Sequence, residues 1–340
     1  MKKAIILFNL GGPDNLDAVQ PFLFNLFNDP AIISLPKIIR YPLAKLISRR
    51  RAPIAQAIYK EMGGRSPILN ETEKQARAIE ESLKSQKDKY KCFIVMRCWN
   101  PRAEEVIEKV KKFNPDQMIL LPLYPQYSGT TSGSSINEWL EVCKKNKIKT
   151  DIKIICCYPT EDNFILSHIN LLKEKIISKD LSKTTIIFSA HGLPENKIKK
   201  GDPYQWQIEK SVEKIINKIS MKNLNYILSY QSRVGPLKWI GPSTEKVISE
   251  IAKKGNNIIL IPIAFVSEHS ETLVELDIEY KALAKKNGCG EYIRIPAITI
   301  NKDFIHSLKT SILKASNGER FTSSINCPEK FKKCPRVMEI

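Results

Sequence analysis

The chain has 340 residues, 42% of them hydrophobic, with only 20 Pro and 14 Gly; this excludes a disordered or fibrous protein and, at roughly 150 residues per domain, predicts about two domains. Its 54 Lys and Arg against 36 Asp and Glu give a net charge of +18, which admits nucleic acid, an anionic membrane or an anionic small ligand as partner. Only 12 of those basic residues are Arg and no basic block exceeds Arg49-Arg50-Arg51, so a solvated lysine surface is expected and nucleic acid, which is read largely by Arg, is not.

The longest apolar runs, such as Ile258 to Val266, fall short of the ~20 residues a membrane span needs. Met1-Lys2-Lys3 leads directly into a strand-like run rather than the longer apolar stretch of a signal peptide. Eight dispersed Cys fit a reducing compartment better than a disulfide framework. A cytoplasmic enzyme is therefore expected.

In chain order, the first β-rich run is Ala4–Asn9, followed by the turn Gly11-Gly12-Pro13. Pro21 to Phe27 and Ile32 to Ile47, ending in Arg49–Arg51, form an apolar stretch with a basic edge. Two readings are open for it: a lip peripheral to a membrane surface, or a core-packed helix and loop. Runs at Phe93–Arg97, Met118–Leu123 and Ile152–Cys157 complete a first set of four, and Thr185–Ser189, Tyr226–Tyr230, Ile258–Phe265 and Tyr292–Ile295 form a second. Helical stretches separate them, and most are apolar on both faces, as parallel strands covered by helices should be. The second set echoes the first. Ile5-Ile6-Leu7 before Gly11-Gly12-Pro13 parallels Ile186-Ile187-Phe188 before His191-Gly192-Leu193-Pro194, and Asn163-Phe164-Ile165 matches Asp303-Phe304-Ile305. So long a period implies two similar α/β halves, 1–160 and 161–305, with 306–340 a C-terminal helix and Cys-containing tail.

Ligands of such sheets bind beyond the carboxyl ends of the strands, so the residues there are the candidates. His191 follows the fifth run among small residues. His168 and His306 lie within helical patterns and read as packing or surface residues. After the seventh run, Glu271, Glu275 and Glu279 recur every four residues, with no Lys or Arg from Phe265 to Tyr280. Like charges at that spacing repel by a few tenths of a kcal/mol, roughly. The ladder is either a solvated face or a device that handles cations or protons. A His and a Glu meeting at one sheet rim suit a first-row divalent metal in an open site, and the His is also a base near neutral pH. In the first half, Gly129 to Ser135 reads as an anion cradle at a helix start or as an ordinary N-cap.

Eight segments in order then resemble the ferrochelatases: Asn9-Leu10-Gly11-Gly12-Pro13; Arg50-Arg51-Ala52-Pro53; Tyr59 with Gly63 to Ile68; Tyr124-Pro125-Gln126-Tyr127-Ser128; Ser189 to Pro194; Gly201-Asp202-Pro203-Tyr204; Gln231 to Pro236 with Trp239; and Ser267 to Tyr280. The resemblance implies an α/β fold of two similar Rossmann-like domains, each a four-stranded parallel sheet flanked by helices, with a cleft between them that takes a porphyrin and no nucleotide. It implies insertion of Fe²⁺ into protoporphyrin IX to form protohaem, with His191 and Glu271 as the catalytic and metal-binding pair. Glu268, His269, Glu275 and Glu279 fall on its proton or metal path, part of it on a helix with a π turn. Leu10, Tyr59, Ser66, Arg97, Tyr127, Trp239 and Phe265 fall on porphyrin-contacting positions, and Arg50 on a propionate-binding one. Departures are Glu268 where Asp is usual, Cys98 where Tyr is frequent and Asn100 where His is frequent. The alternatives are a related chelatase for another metal or porphyrin, and a non-catalytic tetrapyrrole or iron carrier, which would need neither a base nor a proton route. No cofactor is expected beyond the Fe²⁺ substrate. The [2Fe–2S] cluster of some relatives needs four thiolates; the tail has Cys327 and Cys334 alone, and Gly129 stands at the internal ligand position of the animal enzymes, leaving Cys143, Cys156, Cys157 or Cys289 to substitute. The sequence assigns no oligomeric state.

Overall fold

The computed structural model describes residues 1–177, 179–221, 224–233, 235 and 237–338. In chain order its elements are β1 (Lys2–Asn9), α1 (Val19–Phe27), α2 (Lys37–Lys60), α3 (Ile68–Leu83), β2 (Lys89–Met96), α4 (Ala103–Phe113), β3 (Gln117–Pro122), α5 (Ser132–Lys145), β4 (Asp151–Cys157) and α6 (Asp162–Ile176). They continue with β5 (Thr184–His191), α7 (Glu195–Lys199), α8 (Tyr204–Ile219), β6 (Asn225–Gln231), α9 (Thr244–Ala252), β7 (Asn257–Pro262), a π-helix (Glu271–Glu279), α10 (Tyr280–Lys286), β8 (Tyr292–Arg294), α11 (Lys302–Asn317), β9 (Phe321–Ser323) and α12 (Pro335–Met338). The chain divides into two compact units, one of residues 1–157 with 308–323, the other of 158–307 with the segment from Ser324 onward. Of the expected C-terminal segment 306–340, part therefore packs with each unit; its last two residues lie outside the described ones.

The first unit is built on a parallel sheet of order β2-β1-β3-β4-β9. Its central strand reads Ala4-Ile5-Ile6-Leu7-Phe8, each side chain fully buried, which is what a strand covered on both faces requires. One face packs Ala4, Ile6 and Phe8 with Phe93, Val106, Ile107, Leu120 and Trp139. The sheet has five strands, not the expected four. Phe321-Thr322-Ser323 pairs with β4 through Ile154↔Phe321, and three residues are too short for a period-two pattern to announce a strand.

The second unit holds a parallel sheet of order β6-β5-β7-β8, so its strands repeat the β2-β1-β3-β4 succession. Ile186, Ile187, Phe188, Ile258 and Leu260 are its buried apolar centre, covered on one face by Val247, Ile248, Leu276, Tyr280 and Ala284. The expected strand Ile258–Phe265 stops at Pro262, where proline removes a ladder donor. His168 is buried edge-on to Phe164, 4.9 Å between ring centres, and burial drives its pKa down to about 3; it is a neutral packing residue. His306 is exposed.

Candidate active site

His191 is the last residue of β5, and parallel pairing sets it beside Gln231, the last residue of β6. The loop that follows passes very close to its neighbour. Gly192 donates to the Gln231 carbonyl at 2.9 Å, and a Cβ at position 192 would lie 3.0 Å from that oxygen and 3.2 Å from the Trp239 ring. Only glycine fits there without displacing one or the other.

Glu271 opens the π-helix with its Oε2 2.8 Å from His191 Nδ1. A carboxylate only accepts, so Nδ1 carries the hydrogen and Nε2 is the ring nitrogen left for chemistry. Burial favours neutral imidazole, but the charge and hydrogen bond of Glu271 outweigh it and raise the His191 pKa. Burial likewise favours protonated Glu271, yet the charge and hydrogen bond of His191, with the Ser232 hydroxyl, hold its carboxyl below the ordinary range.

Glu275 is the most heavily bonded carboxylate of the ladder. It accepts from Ser232 Oγ (2.5 Å), the Ser232 amide (3.0 Å), Gln231 Nε2 (3.1 Å) and the Tyr280 hydroxyl (2.9 Å). Ser189 Oγ donates to Gln231 Oε1 at 2.7 Å and so turns the amide nitrogen toward Glu275. Ser232 has a φ of 59°, and this left-handed backbone lets its amide and hydroxyl serve the same carboxylate. The hydroxyl also reaches Glu271 Oε2 at 3.2 Å, joining the two carboxylates. Burial and the neighbouring Glu271 charge raise the Glu275 pKa.

The other acidic-segment residues go elsewhere. Glu268 Oε1 accepts from Arg294 Nη1 at 2.6 Å and from the Ala297 amide at 2.9 Å, and Arg294 is bound on its other side by Asp277. Burial would protonate Glu268, but the Arg294 charge keeps it ionised. Glu279 is exposed and makes no hydrogen bond or ion pair among the described residues. His269 is neutral: burial lowers its pKa, Nδ1 donates to the Ser267 carbonyl at 3.1 Å, and Nε2 lies 4.0 Å from Glu271 Oε1. Phe265 packs on the His269 ring with centres 4.6 Å apart, and Trp239 is half-buried beside Gly192. Val234 and Pro236 of the Gln231–Pro236 segment lie outside the described residues.

In the first unit, Leu10 and Tyr59 belong to one apolar cluster with Val19, Phe22, Leu23 and Cys98. Ser66 is half-buried and its amide donates to the Pro13 carbonyl at 2.8 Å. Tyr127 is buried, its hydroxyl 2.5 Å from where a Cβ on Gly133 would stand, so the small residue at the start of α5 is what admits the phenol. Arg50 is exposed on α2. Arg97 is engaged within its own unit: Nε donates to Ser134 Oγ (2.7 Å), Nη1 pairs with Glu138 (2.9 Å) and Nη2 with Asp29 (3.0 Å).

Among the described residues, no three or more His, Cys, Asp or Glu side chains converge to hold a metal ion. Cys327 Sγ accepts from Gln207 Nε2 at 3.2 Å and Cys334 is buried, both in the second unit, while Cys143, Cys156 and Cys157 belong to the first. The contributors that sequence reasoning left without a role are Ser232, Gln231, Tyr280 and Glu245. Ser232 and Tyr280 lie inside segments that had been singled out, but only the paired strands and the helical turn show what they touch.

A family model described as Ferrochelatase matches residues 2–316. The chain is 61% identical over 342 residues to a ferrochelatase of Pelagibacter ubique, covering 98% of each, and 51% identical over 343 residues to one of Rickettsia felis, again covering 98% of each. Among solved structures it superposes on SirB from Bacillus subtilis with Fe³⁺ at a TM-score of 0.53 and 13% identity, covering 93% of this chain and 96% of that one, a likeness of fold.

Proposed function

The chain belongs to the ferrochelatase family and is a metal chelatase, and from that premise we propose that it inserts Fe²⁺ into protoporphyrin IX to form protohaem, releasing two protons. The observation that carries this reading is the His191–Glu271 pair, with Nε2 of the imidazole left for the substrate. Insertion must strip the two pyrrole N–H protons before or while the metal enters. His191 Nε2 takes a proton, and Glu271, bonded to Nδ1, stabilises the imidazolium that forms, as a carboxylate does for a catalytic histidine in other enzymes. Glu271 and His191 also present one carboxylate and one imidazole to the incoming Fe²⁺ substrate. Trp239 and Phe265, beside this pair, supply flat apolar surface for a macrocycle. In the first unit the assignments are apolar contact for Leu10, Tyr59 and Tyr127, a polar contact for Ser66, and a propionate for the exposed Arg50. Arg97, bonded on all three nitrogens, supports that surface from behind. Fe²⁺ acts as substrate and no resident cofactor is assigned, since two tail thiols fall short of a cluster.

We place the enzyme in the cytoplasm with peripheral membrane contact. No helix among the described residues is long and apolar enough to cross a membrane. On α2 and just before it, however, Leu35, Ile38, Ile39, Leu46 and Ile54 are exposed, Ile38 by 83% and Ile54 by 65%, with Arg49 and Arg50 at the same helical spacing. An apolar stripe edged by cations is the surface that enters a lipid headgroup layer.

The test is haem formation followed by absorbance with Fe²⁺ and protoporphyrin, with Co²⁺ and coproporphyrin as competitors. His191→Ala should lower kcat by at least about a hundredfold with the fold retained. Near-parental activity would remove His191 from the mechanism.

A further inference from the structure

Resting on the chelatase reading above, we propose that protons reaching Glu275 leave through the Tyr280 hydroxyl to Glu245, which hands them to water, so that Tyr280 and Glu245 rather than Glu279 complete the relay. The Tyr280 oxygen lies between two carboxylates, 2.9 Å from Glu275 Oε1 and 3.0 Å from Glu245 Oε1. A phenol has one hydrogen and can donate to only one of them. The other contact is a hydrogen bond only if that carboxyl carries a proton of its own. A proton added to either carboxyl makes both contacts hydrogen bonds at once, which is what a transfer point requires.

Direction follows from exposure and surroundings. Glu275 lies inside a shell of Ser232, Gln231 and Tyr280, while Glu245 is half-buried in the first turn of α9, with Lys246 beside it in the chain. A proton on Glu275 Oε1 stands 2.9 Å from the Tyr280 oxygen, in line to be donated to it. In that protonated form Glu275 donates from Oε1 to the Tyr280 oxygen in place of accepting from it, and Tyr280 turns its hydrogen to Glu245. When the Ser232 hydroxyl passes its proton to Glu275 Oε2 and takes in exchange the one that Glu271 has received from the His191 imidazolium, the Oε1 proton passes to Tyr280, the Tyr280 proton passes to Glu245, and Glu245 releases one proton to water. One enters, one leaves, and each group returns to its starting form after the carboxyl of Glu275 resets.

The π-helix is the reason for this choice of partner. In an α-helix the neighbour one turn on from Glu275 would be Glu279, the next acid of the ladder. Here the amide of Tyr280 bonds the carbonyl of Glu275, an i→i+5 turn, and brings Tyr280 into line instead. Tyr280 is 3% exposed and packed against α9, whereas Glu279 faces solvent without a partner among the described residues.

The experiment compares Tyr280→Phe, Glu245→Gln and Glu279→Gln in the full chain, with Fe²⁺ and protoporphyrin. Tyr280→Phe and Glu245→Gln should lower kcat about tenfold to a hundredfold, with the porphyrin KM within about twofold. Imidazole buffer should restore much of the Glu245→Gln rate by carrying protons from Tyr280, a rescue that lost packing would not show. Glu245→Asp should keep most of the rate. Parental kcat in both variants, or a larger loss in Glu279→Gln than in Glu245→Gln, overturns the exit route and leaves the chelatase reading standing. An inactive parent overturns the chelatase reading and the route with it.

Discussion

Arg97→Met separates a supporting role for this residue from a ligand-binding one. The Arg97 side chain is 13% exposed, and Asp29, its partner at 3.0 Å, is 2% exposed. Removing the guanidinium does not cost all three partners equally. Glu138 keeps Arg102 at 2.6 Å, and Ser134 still donates to Asp29 at 2.6 Å. Asp29 alone is left as a buried carboxylate without a cation. An uncompensated buried charge of this kind costs about 3–5 kcal/mol, which in a unit of this size lowers Tm by roughly 6–20 °C. Asp29→Asn in the same chain should return part of that loss, because the stranded charge is gone. The assay is a thermal scan of the parent, the single variant and the double variant, with porphyrin KM measured well below each Tm. A Tm within about 2 °C of the parent, together with a porphyrin KM raised tenfold or more, would refute the reasoning and return Arg97 to the porphyrin.

Three further outcomes follow from the same structure. The ¹H–¹⁵N titration of His191 in metal-free protein should give a pKa above the ordinary value of about 6.5, and Glu271→Gln should lower it, because burial is then opposed only by the weaker influence of Glu275. The sign for stability is fixed by the same shifts: His191 is raised and Glu271 lowered, so their pair stabilises the fold from above the ordinary carboxylate pKa and fades as pH rises through the folded His191 value. The urea midpoints of parent and Glu271→Gln should therefore converge on the alkaline side; a gap that widens there contradicts the ion pair. On the surface, Ile38→Glu with Ile54→Glu should lower binding to vesicles of phosphatidylcholine and phosphatidylglycerol at least about tenfold, since each exposed isoleucine buried in lipid contributes about 1.5–3 kcal/mol. Unchanged sedimentation with vesicles would exclude the α2 stripe as the contact.

The acidic ladder makes chemical sense only with its neighbours. Three glutamates at a four-residue spacing look equivalent in sequence, yet each has a different task. Glu271 is held ionised by a histidine, and Glu275 is biased toward its acid form by burial and by Glu271. Glu279 is solvated. The Ser232 hydroxyl stands between these two carboxyls, 3.2 Å from Glu271 and 2.5 Å from Glu275, so environment sets them apart where spacing does not. Glu268, which extends the same acidic run, is instead bound to Arg294 and anchors the chain before β8's following loop at the Ala297 amide.

Local patterns were enough for the α/β architecture and most of the strands, because a parallel strand covered on both faces must be apolar along its length, and Ala4–Phe8 and Ile258–Leu260 are. They also pointed to His191 and to the ladder of Glu271, Glu275 and Glu279, since strand ends are where such sheets place chemistry; that Glu271 is the member beside His191 is read from their 2.8 Å contact. The fifth strand of the first sheet was not legible: Phe321–Ser323 becomes a strand only because β4 offers it an edge. Nor were the contacts of Arg97, whose partners Asp29, Ser134 and Glu138 are brought to it from distant parts of the chain. The sequence by itself determined which residue types line the acidic helix. Tertiary structure decided which of them touch, because a π turn advances the helix by five residues and puts Tyr280, rather than Glu279, next to Glu275.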